Sequence, residues 1–196
     1  MGEYTIISEV SQKLLELMRE NLVPEPIKKF EDIGLCHPDE RGSAILGIYL
    51  YDIEENAETK TMERVFVDKE HYKNPPVSLN LYYMFFAHSQ AELISKAVDE
   101  QRIMGKVIQV INDNLRLDIN GEFVDIQPYF ITYDEKNKVM SNFENKKDIA
   151  CFYKVSPVII ESEKVRAVKR VKIADISIEH KRRWFYYNTI QIVKNI

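Results

Sequence analysis

The sequence predicts an α+β fold in which a mainly antiparallel β-sheet packs with two α-helices. Two stretches, residues 7–22 and 91–111, carry apolar residues at helical spacing, and several other segments show the two-residue period of β-strands. The chain has 196 residues, of which 45% are hydrophobic, so it can bury one substantial core. We expect one domain over residues 1–178 and a basic, aromatic C-terminal arm over residues 179–196.

The N-terminal part is predicted to form a helix, a buried strand and a polar hairpin. The apolar residues of the helix are Ile7, Val10, Leu14, Leu17, Met18 and Leu22. This helix should end before Pro24, because proline lacks a backbone donor and restricts the residue before it. Residues 44–53 are almost wholly apolar and predict a strand covered on both faces. The charged residues 54–74 are interpreted as a long hairpin or a mobile loop.

A double proline opens the most distinctive strand. Pro75 and Pro76 cannot donate to a ladder, so they should lie at its start. One face is formed by Val77, Leu79, Leu81, Tyr83 and Phe85. The other face is polar at Ser78 and Asn80 and apolar from Tyr82 onward. The strand should therefore pass from a half-covered to a fully covered position in its sheet.

A second helix is predicted after Ala91, and strands fill the rest of the domain. The apolar residues of this helix are Leu93, Ile94, Ala97, Val98, Met104, Val107, Ile108 and Ile111. Asn120-Gly121 indicates a tight turn between two strands, the later one carrying Pro128 at an edge or a bulge. Two further strands are predicted over residues 149–160 and 165–178.

Five short motifs resemble those of one known family. They are Pro75-Pro76-Val77-Ser78-Leu79-Asn80-Leu81-Tyr82-Tyr83, Gln101-Arg102-Ile103-Met104-Gly105, Asn112-Asp113-Asn114, Leu50-Tyr51-Asp52-Ile53-Glu54-Glu55-Asn56 and Phe152-Tyr153-Lys154-Val155-Ser156-Pro157-Val158-Ile159-Ile160. In order and composition they resemble the cap, or tail-terminator, proteins of phage-tail-like contractile injection systems. The family usually has a Trp in a short helix before the last motif, where this chain has Phe143.

The resemblance implies a structural protein and not an enzyme. It implies a homohexameric ring that ends the inner tube, contacts the last sheath ring and anchors the sheath. The expected partners are further copies of the chain, the inner-tube protein and the sheath protein. The expected place is the cytoplasm during assembly and then the distal end of a bacterial phage-tail-like particle.

The sequence offers little chemistry for catalysis, and we expect no catalytic residue, cofactor or metal. The four histidines are scattered without the carboxylates or cysteines that a zinc site needs, and Cys36 and Cys151 are far apart. Cys36-His37 is the one adjacent cysteine–histidine pair, and neighbouring residues on a loop seldom converge as a nucleophile and its base. Asp52, with the glutamates that follow it, is interpreted as a solvated strand end rather than as an acid/base site.

The composition also bears on partners and location. The net charge of −4 gives no overall attraction to nucleic acid, and no segment is apolar and long enough for a bilayer. The polar start of the chain lacks the layout of a signal peptide, so we expect it to be kept in the cytosol.

Two groups of residues are candidates for a partner interface. The first is Lys164, Arg166, Arg170 and Lys172, which share one strand face. The second is Arg182, Arg183, Trp184, Phe185, Tyr186 and Tyr187, where basic residues precede four aromatics. The first group could equally be a solvated strand face. The second could complete the chain's own sheet, or bind single-stranded nucleic acid, which the acidic net charge disfavours.

A second class of function stays open at this point. The chain could be a small soluble ligand-binding module, or an enzyme of unknown type, in which residues 54–74 close over a ligand. A ligand would then stabilise the fold, whereas a cap would be stabilised by its neighbours.

Overall fold

The computed structural model describes residues 3–59, 63–144 and 149–168. The helices in these ranges are α1 (Ile6–Leu22), α2 (Leu93–Asp113) and α3 (Tyr133–Ser141). The strands are β1 (Ile33–Leu35), β2 (Leu46–Glu55), β3 (Val65–Phe66), β4 (His71–Lys73), β5 (Val77–Ala87), β6 (Arg116–Ile119), β7 (Glu122–Pro128), β8 (Ile149–Ile160) and β9 (Val165–Ala167).

The main sheet has six strands in the order β1-β2-β5-β8-β7-β6. β1 runs parallel to β2, and the other neighbours are antiparallel. The hairpin between β6 and β7 turns at Asn120 and Gly121, which have φ angles of 55° and 89°. Positive φ at both central residues is the conformation of a type I′ two-residue hairpin, and Asn-Gly adopts it at low cost. The predicted α+β class with a mainly antiparallel sheet is confirmed.

A smaller sheet continues three strands of the main sheet. Its order, β3-β4-β9, repeats the order β2-β5-β8. β3 comes after β2 in the chain, β4 comes just before β5, and β9 comes just after β8. We call this three-stranded extension, residues 64–74 and 164–168, the tongue. The predicted hairpin within residues 54–74 is therefore present, and a third strand joins it.

One face of the main sheet packs on α1 and α2 and forms the larger core. Its most buried side chains include Val10, Leu14, Met18, Leu22, Leu46, Ile48, Leu81, Tyr83, Phe85, Val107, Ile111, Val155 and Val158. Tyr83 reaches α1, where its hydroxyl lies 2.8 Å from the hydroxyl of Ser11. The apolar face that the sequence assigned to β5 is the face that meets the helices.

The opposite face of the sheet carries a second, smaller core beneath α3. It consists of Met84, Phe86, Met140, Phe143, Ala150 and Phe152. α3 begins with a capping box, in which the Thr132 hydroxyl accepts from the Glu135 amide and the Glu135 carboxylate accepts from the Thr132 amide. β5 therefore passes to a position covered on both faces, as its sequence predicts.

Three details of the sequence-based prediction are wrong. There are three helices rather than two within the described ranges, because α3 follows β7 where a longer strand was expected. The outer half of β2 is not covered on both faces, since Ile53 is 45% exposed. On α2, the predicted apolar residues Ile94, Val98 and Ile108 point away from the core and are exposed, although Met104 and Val107 are buried.

Gly47 and Gly105 allow a matched test of the packing. A Cβ at Gly47 would overlap the buried ring of Phe86 on the neighbouring strand, whereas a Cβ at Gly105 would meet nothing within 4 Å. We expect Gly47→Ala to lower the free energy of unfolding by about 1–3 kcal/mol through overpacking. Gly105→Ala, on the exposed side of α2, should raise it by roughly 0.5–1 kcal/mol. Urea unfolding followed by circular dichroism measures both, and equal values for the two variants would contradict the packing described.

Candidate assembly interface

The tongue exposes apolar side chains that a small sheet would ordinarily bury. Val65, Phe66 and Val67 are 46%, 64% and 53% exposed, and Val165 is 48% exposed. All residues of β3 and β9 are exposed, and those of β4 are half-buried. A large exposed apolar patch on a folded chain commonly marks an interaction site.

The register of the tongue separates two chemically different faces. Phe66, Tyr72 and Arg166 lie opposite one another on successive strands, so they share one face. The guanidinium of Arg64 lies 4.6 Å from the centre of the Tyr72 ring on this face. We call it the basic aromatic face. The other face contains Val65, Lys73 and Val165 in register and is mainly aliphatic.

The structure describes two of the residues predicted to form a partner interface. Arg166 lies in β9, and Lys164 is the residue immediately before this strand. Both are exposed. The remaining predicted residues lie outside the described ranges; they are Arg170, Lys172, Arg182, Arg183, Trp184, Phe185, Tyr186 and Tyr187. The part of the last predicted strand beyond residue 168 also lies outside them.

The described chain ends at the tip of the tongue. The Val168 amide donates to the Glu70 carbonyl at 2.7 Å, which places residue 168 beside the turn between β3 and β4. Asp68 organises that turn by accepting from the amides of Glu70 and His71 and from the His71 ring. These hydrogen bonds lower the pKa of the Asp68 carboxyl, and the bond from the Glu70 amide contributes most.

A buried asparagine fixes the root of the tongue to the main sheet. The Asn56 amide donates to the Ser78 carbonyl at 2.8 Å, and its side-chain nitrogen donates to the Ser156 hydroxyl at 3.1 Å. Its side-chain oxygen accepts from the Glu58 amide at 3.0 Å, and the Ser156 hydroxyl donates to Asn80 at 2.7 Å. Asn56 is only 7% exposed. It thus holds the ends of β2, β5 and β8 together where the tongue begins.

An acidic groove lies between α1 and the turn from β6 to β7. It is lined by Ser8, Glu9, Gln12, Lys13, Glu16, Asp118, Ile119 and Asn120. Asn120 donates to the Glu9 carboxylate at 2.8 Å, and the Asp118 carboxylate accepts from the Gly121 amide at 2.7 Å. Lys13 lies 3.6 Å from Glu16. The sequence pattern does not reveal this groove, because segments more than 100 residues apart form it.

The residues considered for chemistry contact their own neighbours in the fold. The Nδ1 atom of His37 accepts from the Asp39 amide, and the ring packs edge-on against Tyr49 and Phe143. Burial raises the pKa of the Cys36 thiol, which leaves little of the reactive thiolate. Glu54 accepts from the Tyr82 hydroxyl at 2.8 Å.

Two features are absent from the described residues. No group of three or more potential metal ligands was found among them. Within the same residues, no helix combines the length and the apolar character needed to cross a membrane.

Comparisons with known proteins agree on the kind of fold. Residues 9–172 match the model of the family described as Pvc16 N-terminal domain. The chain resembles the sheath/tube terminator of PVC, an extracellular contractile injection system, in its extended state, with a TM-score of 0.63, 16% identity and 94% of this chain covered. It also resembles the tube-terminating cap of the anti-feeding prophage, with a TM-score of 0.60, 19% identity and 91% covered. It spans 67% and 63% of the lengths of those two chains. No curated protein sequence matches it significantly.

Asn56→Ala tests the root of the tongue. We expect it to lower the free energy of unfolding by about 1–3 kcal/mol, because buried polar partners lose their hydrogen bonds. Amide hydrogen exchange in residues 63–74 should become faster. Asn74→Ala, at an exposed asparagine at the end of the tongue, is the matched control and should change neither quantity appreciably. Equal exchange rates in the two variants would refute the anchoring role of Asn56.

The reactivity of the Cys151 thiol tests the packing of β8. Burial is the main cause that raises the pKa of this thiol to about 12. Because an unfolded cysteine has a pKa near 8.5, raising the pH above about 8.5 favours the unfolded chain. In a Cys36→Ser variant at pH 8, Cys151 should react with Ellman's reagent at least about 100-fold more slowly in the native chain than in urea. The Cys151→Ser variant serves as the control for Cys36, and comparable native and unfolded rates for Cys151 would count against a thiol that packs, partly buried, against the core.

Proposed function

The chain belongs to the Pvc16 N-terminal domain family, and from this membership we propose that it caps the distal end of a contractile injection particle. The observation that carries the proposal is the family match over residues 9–172. The fold likeness to two chains described as a tube terminator and a tube-terminating cap supports it. In this function the chain works by contact alone and is not an enzyme.

The proposed cap is a ring of six copies that assembles in the cytoplasm and sits on the last ring of the inner tube. A chain terminator must present one face that copies the stacking surface of a tube subunit and another face to which no further ring can bind. The partners are therefore the inner-tube protein, the sheath protein and neighbouring copies of the chain. The cap ends tube growth and anchors the last sheath ring.

The contacts of this cap are assigned to the tongue and to the chain that follows it. The exposed apolar residues of the tongue would supply affinity, and Lys164 and Arg166 would set orientation through charge. Residues 179–196 are proposed as a docking arm that extends from the domain of residues 1–178. The other residues of this interface are Arg170, Lys172, Arg182, Arg183, Trp184, Phe185, Tyr186 and Tyr187.

The geometry does not favour a module in which residues 54–74 close over a ligand. Residues 71–73 pair with β3 on one side and with β9 on the other, so the hairpin is one part of a sheet. The root of the tongue is fixed by the buried amide of Asn56. A closing lid would instead need a segment that can move as a unit.

Deletion of the gene in the producing bacterium tests the proposal. Electron microscopy of purified particles should then show tubes and sheaths of excessive or variable length, or tubes that have lost their sheaths. Supplying the protein from a plasmid should restore uniform particles. Particles of normal length whose ends lack the protein in the parent strain would rule out the cap.

Truncation tests the docking arm. We expect deletion of residues 181–196 to reduce binding to particle ends at least about tenfold, because the aromatic and basic residues are of the types that dominate interfaces. Circular dichroism and the unfolding midpoint should stay close to those of the full chain. Replacing only residues 184–187 by serine should reproduce most of the loss, while replacing residues 181–183 should mainly slow binding. A truncated chain that still caps particles would contradict the assignment.

A further inference from the structure

We propose that the basic aromatic face of the tongue docks into the acidic groove of a neighbouring copy of the chain. The inference rests on the proposed function, because it identifies a contact by which copies would join into a ring. The proposed occupant of the groove is a second copy of the chain. Charge complementarity between two described surfaces of the same molecule carries it.

The cations of the tongue are available for such a contact. The Arg64 guanidinium lies over the Tyr72 ring, and Arg166 shares that face by register. Lys164, two residues before Arg166, extends the same charge. Within the part of the chain that the structure describes, no ion pair joins these three residues to a carboxylate. Phe66, 64% exposed, lies on the same face and would be the aromatic anchor.

The groove offers complementary acceptors. Glu9 and Asp118 are oriented by hydrogen bonds from Asn120 and from the Gly121 amide, so their positions are set before a partner arrives. A carboxylate has about four lone-pair sites, so each retains capacity for a guanidinium or ammonium donor. Glu16 adds a third carboxylate, 60% exposed along its side chain, and Lys13 is the one cation among the lining residues. The groove therefore carries net negative charge.

The tongue of one copy is better placed to reach the groove of a second copy than the groove of its own copy. The root of the tongue is held by Asn56 to the ends of β2, β5 and β8, so the tongue continues the sheet outward. The groove lies on the helix-covered side of the sheet, beside α1. Two different surfaces on one molecule make a heterologous contact, and a heterologous contact closes into a ring when the rotation between copies allows it. Complementary charge would fix the register between neighbours.

A charge-swap experiment tests the contact. The tongue variant carries Arg64→Glu and Arg166→Glu. The groove variant carries Gln12→Arg and Glu16→Arg, which spare the hydrogen bonds of Glu9 and Asp118. The control variant, Lys28→Glu with Lys29→Glu, reverses two exposed cations elsewhere and changes the charge as much as the tongue variant does. Occupancy of particle ends is counted by electron microscopy, and circular dichroism verifies that each variant is folded.

Each reversal alone should lower end occupancy about tenfold or more, which corresponds to at least about 1.4 kcal/mol. The control should leave occupancy unchanged, and a chain carrying both reversals should recover to within about twofold of the parent. If the parent occupies the ends but the reversals have no effect, or the combined chain does not recover, the contact is refuted while the cap stands.

Disulfide trapping tests the contact in solution as well as on particles. Arg166→Cys chains are mixed at about 100 µM with Glu16→Cys chains, and the parent chain controls for Cys36 and Cys151. A disulfide between the two variants, above the parent background, supports the contact even if the parent is absent from particle ends. Its absence both in solution and on particles refutes the contact.

Discussion

The ladder of β2, β5 and β8 is the constraint on which the rest of the structure depends. β5 pairs with β2 on one side and with β8 on the other over almost its full length. One face of this ladder carries the large core with α1 and α2, and the other carries the small core with α3. The same three strands continue as the tongue, with Asn56 joining them at the transition. The main sheet and the tongue are thus two separate sheets whose strands follow the same order.

Much of this ladder could be predicted, because the two-residue period of a strand and the residue preferences of a turn are local properties of the sequence. β8 has the predicted bounds, residues 149–160, and the Asn120-Gly121 turn joins two strands as its φ requirement demands. α3 was missed although Thr132 and Glu135 have capping-box spacing, because the apolar residues before them suggested a longer strand. The exposure of Ile94 on α2 and the existence of the acidic groove depend on which elements meet in space. The spacing of residues along the chain does not contain that information.

The tongue is one of the places where this chain leaves large apolar side chains in solvent. Most apolar residues of β5 and β8 have partners on both faces, yet Phe66 and Val165 are about half exposed or more on strands of two and three residues. Such a sheet gains little from burial within its own molecule. A neighbouring subunit that covers the tongue on assembly would account for its composition. Both the apolar side chains and the cations of the tongue would then have partners. The exposed tongue therefore supports the proposal that this chain functions by fitting against other subunits.

A cryo-electron microscopy map of the distal end of the purified particle would test this account most directly. The account predicts density for this chain at the end of the tube, with the tongue covered by a neighbouring subunit and Phe66 and Val165 no longer exposed. A map in which the chain occupies the particle end but its tongue projects into solvent would contradict the assembly role given to the tongue. A particle end built without this chain would contradict the account as a whole.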